Sequence, residues 1–376
     1  MKAIINGKII TNYQVIENKA LVFNGTIWGI DKYVSDSAEI IDAKGNYVAP
    51  GLIDIHIHGY HGSDTMDATQ NALHTISRGI AKNGVIAFLP TTVTYDWAAT
   101  QKALENIGEN MGDVENGATI LGAHLEGPFI NEQYAGAQPK QHIIPPNFEL
   151  IEGYKNIIKL LTLAPEVDND FAFIKQVYTK TDIIMSMGHT GATYDIASRS
   201  YVNGVTNTTH IFNAMRGLGH RELGALGAAL LMPFFCEIIA DTIHINPKLY
   251  NFLLNNKLRE RLILITDSIA GAGMGDGVFS LGGQPITIKD GAATLEDGTL
   301  AGSVLTLNMA LKNFKEHTSI SLPDLFALAS ANPAKSLNLR DKGSLTAGND
   351  ADIAIFDENF DCKMTIREGH VIYNGL

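Results

Sequence analysis

Only two cysteines, Cys236 and Cys362, occur among the 376 residues, far apart and outside any CxxC spacing. That excludes a disulfide framework and suits a reducing compartment. Positive charge is also scarce: 28 Lys and Arg stand against 40 Asp and Glu, a formal net charge of −12. Nucleic acid selects basic patches and is not an expected partner. An anionic small molecule remains open, because a few local Arg or His side chains can hold one phosphate. No apolar run reaches the ~18 residues expected of a membrane span. The opening MKAIINGKII is too short and too broken by Asn6-Gly7 to read as a signal peptide. The expectation is a soluble, cytoplasmic protein with no membrane partner.

The chain does hold enough apolar residues, 45%, for one large domain and a smaller one. Its two ends share a style. Apolar runs flank Asn6-Gly7 and Asn24-Gly25, and Asn-Gly between such runs predicts a hairpin, since both turn positions of the favoured type need positive φ. The far end continues with DIAIFD and KMTIREGHVIYNG. A small β-sandwich domain from residues 1–50 plus 341–376 is expected, with a larger domain, 51–340, inserted between its halves.

That insert alternates. Strand-like runs at 52–57, 85–93, 119–125, 157–163, 182–187, 206–212, 234–240 and 262–266 are separated by helix-like stretches such as 67–83, 96–110, 168–180, 193–203 and 247–260. Eight such units favour a closed (β/α)8 barrel, typically ~250 residues, over a doubly wound sheet. In a barrel the C-terminal strand ends carry the chemistry. Here they carry His56 and His58, then Thr91-Thr92, then His124 and Glu126, Glu166, His189, His210, His244 and Asp267 in turn.

A lone histidine is more often a hydrogen-bonded core or surface residue than a ligand. His56 and His58 differ because in a strand positions i and i+2 point the same way, whereas a helix would set them ~200° apart. Two imidazoles entering one confined space suit a divalent metal. Asp267 ends a nearly pure apolar strand, RLILITD, where a carboxylate is costly unless paired or metal-bound. Glu166 reads as a structural acid at least as readily as a site residue.

PGLIDIHIHG, with a histidine ending each of the fifth and sixth strands and an aspartate ending the eighth, resembles the amidohydrolase superfamily. HLEGPFI, GAQP, MGHTGA, THIFNAM, ADTIH and ITDSIAGAGM together resemble its N-acetylglucosamine-6-phosphate deacetylase family, along nearly the whole chain to GSLTAGNDADIAIFD. The resemblance implies a metal-dependent hydrolase that removes acetate from the amino-sugar phosphate. It implies Glu126, His189 and His210 as protein ligands. The fourth strand ends in TLAPE and offers no lysine at the place where many superfamily members carry a carboxylated one. Some family members replace the strand-one histidines by amides and use one metal. Both histidines are present here, so a second ion at His56 and His58, bridged through Glu126, is expected. One or two ions per subunit, of Zn, Fe, Mn or Co, fit such ligands.

Asp267 is expected to act as general base and then general acid, accepting a proton from the water that attacks the acetamide and giving it to the departing amine. By the same resemblance, Ala137, Gln138, Asn213, Ala214, Arg221 and His244 contact the substrate, as do Leu300, Ala301 and Gly302. Gln138 stands where some members have a carbonyl-polarising histidine, which leaves that role between Gln138 and the nearby His142. Family members are commonly homodimers, in which Arg221 or His244 can reach the neighbouring subunit's phosphate. GAGMGDG at 271–277 lacks the GxGxxG spacing of a nucleotide loop and reads as a mobile active-site loop. Two other readings stay open: an amidohydrolase for a cyclic amide or N-acyl amino acid, and a non-catalytic scaffold.

Overall fold

The structure, a computed structural model, describes residues 1–31 and 33–376. Eight parallel strands curl into a (β/α)8 barrel: Leu52–Ile57, Val85–Pro90, Ala123–Glu126, Ile158–Leu163, Ile184–Met187, Val205–Thr208, Phe235–Ile239 and Leu262–Ile265. Each is in parallel register with the next, the second and third through Thr91 and His124. The eighth meets the first at their C-terminal ends, where the Asp267 N–H donates to His56 O at 2.9 Å and the His58 N–H to Ser268 O at 2.9 Å. Lower down, Ala329 and Leu328 enter the seam, accepting from Ile53 N and Leu264 N.

Pleating sorts the first strand. Ile53, Ile55 and Ile57 are wholly buried in the main core, while Asp54, His56 and His58 take the opposite face, toward the barrel interior. The expected helices form as Gln70–Ala81, Trp97–Glu109, Ala172–Lys180, Tyr194–Val202 and Lys248–Asn256. Asp96 caps the second through its carboxylate, and Thr69 and Thr193 cap the first and fourth through their hydroxyls.

Several expectations need correction. The third strand is broken into Thr119–Ile120 and Ala123–Glu126. Gly122 sits between them at φ 141°, and a Cβ there would lie 2.4 Å from Ile157 O. Asn6-Gly7 is no hairpin. The strand before it, Lys2–Ile5, pairs with Ala20–Phe23 and Glu39–Asp42, whereas the strand after it, Lys8–Ile10, pairs with Val15–Ile16 and Tyr47–Pro50. The pair is a corner between two sheets, and Gly7 is required because a Cβ would lie 2.4 Å from Val48 Cγ2. Asn24-Gly25 does join paired strands, but neither residue takes positive φ. The loop spans 24–26, with Asn24 N–H donating to Thr26 O and Thr26 N–H to Asn24 Oδ1. After the eighth strand a three-stranded antiparallel meander follows, Gly277–Leu281, Gln284–Lys289 and Ala292–Thr294, which the sequence reading did not separate from the loop before it.

Both chain ends meet in the sandwich. One sheet holds the four strands around Lys2–Ile5. The other joins Lys8–Ile10 and Tyr47–Pro50 to Ile353–Phe356, Cys362–Arg367 and His370–Asn374. Ile4, Leu21, Phe23, Ile41, Val48, Ile353, Ile355 and Ile366 fill the space between them. Cys236 and Cys362 are buried and unpaired. No helix among the described residues is long and apolar enough to cross a membrane.

Lys342 ties together the C-terminal half of the sandwich, binding acids from the segment before Ile353–Phe356 and from the turn after Cys362–Arg367. Its ammonium lies 2.8 Å from Asp350 Oδ2, 2.9 Å from Asp352 Oδ2 and 3.3 Å from Glu368 Oε1. Burial opposes its charge, but Asp352 and Asp350 outweigh burial and raise its pKa. Removing one partner of a buried pair strands the other charge. Lys342→Met is therefore expected to destabilise the protein by about 3 kcal/mol in urea unfolding. Lys8→Met, at the exposed Lys8–Glu358 pair, should leave the midpoint where it was.

Candidate metal centre

The strand ends do bring their polar side chains to one place. Glu126 Oε1 lies 3.2 Å from His189 Nε2 and 3.2 Å from His210 Nε2, and those two nitrogens are 3.2 Å apart. The three atoms form an equilateral triangle. A tetrahedral cation with ligands at ~2.0–2.1 Å has edges of about 3.3 Å, so the triangle is one face of such a site, with the fourth corner left for water or substrate. A second group adjoins it: His56 Nε2 lies 3.4 Å from Glu126 Oε1, and His58 Nε2 lies 3.4 Å from Glu126 Oε2. Asp267 Oδ1 closes this side at 3.1 Å from His58 and 3.4 Å from His56.

The tautomers follow from the partners. His56 Nδ1 faces Glu237 Oε2 at 3.0 Å, His58 Nδ1 faces Thr91 O at 3.2 Å and His189 Nδ1 faces Tyr134 O at 3.0 Å. Each partner can only accept, so each Nδ1 carries the hydrogen and each Nε2 is free to ligate. His56 Nε2 is buried without a hydrogen-bond partner, the kind of orphan that a cation satisfies. A divalent metal thus fits these donors. In its absence the carboxylates act on the imidazoles instead: burial lowers the His58 pKa, but Asp267 and Glu126 outweigh burial and hold it at about 9. Burial raises the Asp267 and Glu126 carboxyls, yet His56 and its neighbours more than reverse this and keep both low.

Backbone strain concentrates at the same residues. His189 at φ 49°, His210 at φ 30° and Asp267 at φ 51° all occupy the left-handed region. Such conformations cost ~1–2 kcal/mol each and gather at functional sites. They turn the side chains inward where the strands end. Below them runs a belt of hydrogen bonds: His124 Nε2 to Thr162 Oγ1 at 2.8 Å, then Thr162 to Thr209 and Thr209 to Ser186 at 2.7 Å each. His124 packs edge-on against His56 with ring centres 4.5 Å apart. Burial and the neighbouring imidazoles push it well below its ordinary pKa, so it stands neutral beneath the centre.

Above the centre lies a cavity of about 250 Å³. Ala137, Gln138, Asn213, Ala214, His244, Leu300 and Gly302 line it together with His58, Glu126, His189, His210 and Asp267. Two expected contacts do not reach its wall. Arg221 is exposed on the loop after the sixth strand, and Ala301 is wholly buried with its N–H spent on Ala293 O. Segment 271–277 also stays off the wall; Leu281 and Gly282 of the meander line it instead. The amide of Gln138 is turned inward: Oε1 accepts from Thr94 N at 2.6 Å, which forces Nε2 onto Glu126 Oε2, also at 2.6 Å. Glu166 ties neighbouring loops together, accepting from the Gly191 backbone N–H and from the side chains of Asn131 and Thr190. The sequence reading missed Glu237, whose only signal is an acid inside the apolar run FCEII, and Asp241, whose Oδ2 accepts from His244 Nδ1 at 2.7 Å.

The chain belongs to the amidohydrolase family, which matches residues 47–372. Among its relatives is the N-acetylglucosamine-6-phosphate deacetylase of Bacillus subtilis (strain 168), 40% identical over 346 residues, 90% of this chain and 87% of that one. The enzyme of the same name from Lysinibacillus sphaericus is 35% identical over 376 residues, 96% of this chain and 97% of the other. The crystal structure of N-acetylglucosamine-6-phosphate deacetylase from Thermotoga maritima superposes with a TM-score of 0.89 at 32% identity, covering 99% of each chain.

Since a ligand that binds only the folded state stabilises it by about 2.7 kcal/mol at a hundred times its Kd, Zn2+ should raise Tm by several degrees and a chelator should reverse the rise. Glu126→Gln, which removes the charge shared by both groups, should abolish the zinc-dependent shift in differential scanning calorimetry.

Proposed function

We propose that this protein is a metal-dependent deacetylase that converts N-acetyl-D-glucosamine 6-phosphate and water to D-glucosamine 6-phosphate and acetate. The triangle of Glu126, His189 and His210, open toward a cavity that also presents Asp267, carries the reading. The close relatives supply the substrate. A bound divalent ion would lower the pKa of a water it holds and polarise the acetamide carbonyl. Glu126, His189 and His210 would hold one ion, and His56 and His58 a second with Glu126 between them. Zn, Fe, Mn and Co all suit this donor set.

Asp267 moves the proton. One carboxylate takes it from the attacking water and returns it to the amine nitrogen as the C–N bond breaks, since an unprotonated amine is a poor leaving group. Asn213, Ala214, Leu300 and Gly302 shape the wall around the sugar. Gln138 presents its remaining Nε2–H beside Glu126. His244 offers its Nε2 to the substrate, with Nδ1 held by Asp241. Arg221, exposed and off its own cavity wall, is suited to a phosphate in the neighbouring subunit of a homodimer. The chain is read as two units, a sandwich of residues 1–50 plus 341–376 and a barrel of 51–340, working in the cytoplasm.

The test is acetate release from N-acetylglucosamine 6-phosphate, with and without the phosphate and before and after chelation. Loss on chelation and a large fall in kcat/KM on the unphosphorylated sugar are expected; equal rates on both sugars would remove the phosphate from the reading. Asp267→Asn should retain its metal by elemental analysis and lose ~10³-fold in kcat.

His244 adds a pH signature. Burial lowers its pKa, but the hydrogen bond and charge of Asp241 outweigh this, with Asp267 adding to the rise, so the net shift is upward. Its positive charge is complete below the ordinary value of ~6.5 and is lost as pH climbs through the raised one. KM for the phosphosugar should therefore increase on the alkaline side, and Asp241→Asn should move that increase to lower pH with kcat little changed.

A further inference from the structure

Glu237 stands mid-way along the seventh barrel strand, wholly buried, and no step above uses it. Its Oε2 accepts from His56 Nδ1 at 3.0 Å and from the His210 backbone N–H at 3.2 Å; its Oε1 is buried with no donor. A buried carboxylate with an idle oxygen is costly unless it balances positive charge nearby. Among the described residues the groups its carboxylate is seen to engage are the His56 imidazole and the His210 backbone N–H. Of the four imidazoles around Glu126, His58 and His189 place their Nδ1–H on neutral carbonyls, His210 Nδ1 is buried without a partner, and His56 places its Nδ1–H on a carboxylate. An anionic acceptor fixes the tautomer and makes the far nitrogen a stronger donor to metal. That far nitrogen, His56 Nε2, lies 3.4 Å from both Glu126 Oε1 and Asp267 Oδ1.

We propose that Glu237 is a positioning residue that commits His56 to a second divalent ion, held with His58 and Glu126, while its other bond steadies the strained backbone of His210. The inference rests on the metal-centre reading given above. The experiment equilibrates the full-length protein with graded free Co2+ and counts bound ions per chain by elemental analysis. Wild type is expected to hold two. Glu237→Gln keeps the shape and removes the charge; it should bind the first ion like wild type and the second 10–100-fold more weakly. Equal second-ion affinity in wild type and Glu237→Gln overturns the proposal and leaves the metal centre standing. Wild type saturating at one ion overturns both the proposal and the two-ion reading. If Glu237→Gln does not fold, imidazole 15N spectra of the zinc-loaded wild type decide. A His56 Nδ1–H tautomer, assigned by its loss in His56→Asn, is expected, and an Nε2–H tautomer overturns the proposal.

Discussion

One carboxylate organises this molecule. Glu126 is almost fully buried, yet its two oxygens lie within 3.4 Å of four imidazole nitrogens from three strand ends. Gln138, locked by Thr94, adds a neutral donor at 2.6 Å. Few environments hold an anion out of water so completely, and each of these neighbours is there because a barrel strand or its following loop delivers it. Without Glu126, His189 and His210 would face each other with their Nε2 atoms 3.2 Å apart and no carboxylate between them, while Asp267 would remain for His56 and His58.

The barrel makes such convergence inexpensive in sequence terms. Parallel register sets equivalent positions of neighbouring strands at the same height, so Glu126 pairs with Thr162 and the latter with Ser186 around the wall. Residues scattered along the chain then share one layer. The hydroxyl belt under the centre is that layer's floor, and the left-handed turns at His189, His210 and Asp267 form its rim. The strain at the rim is sustained because its backbone is tied down: Ser303 N–H donates to Asp267 O, and Glu237 receives His210 N–H.

Much of this was legible in the sequence, and the reasons are specific. His56 and His58 announce themselves because period-two spacing inside an apolar run has no use in a helix. Glu126, His189, His210 and Asp267 stand out because each ends such a run. What stayed hidden depends on facts that spacing does not carry. The orientation of Gln138 is fixed by a backbone N–H forty-four positions away, at Thr94. Glu237 lies inside its strand rather than at its end, where an acid reads as an isolated anomaly until His56 is seen across the barrel. Asn6-Gly7 predicts a hairpin locally, but partners drawn from residues 15–16 and 47–50 claim the second strand and make the pair a corner. The meander after the eighth strand escaped because its glycine-rich approach, 271–277, resembles a loop.

On the proposed function, Glu126 and Asp267 take two roles through environment alone. Both are carboxylates kept ionised by the same imidazoles. Glu126 engages both of its oxygens, Oε1 with His56, His189 and His210 and Oε2 with His58 and Gln138, so a proton placed there would disrupt every contact at once. Asp267 meets His56 and His58 through Oδ1 alone, and it lines the cavity. Its second oxygen can therefore gain and lose a proton while the first holds position. A residue that must bind steadily needs the first arrangement, and one that must shuttle a proton needs the second. The division of labour between them is set by how many of their lone pairs the protein has already used.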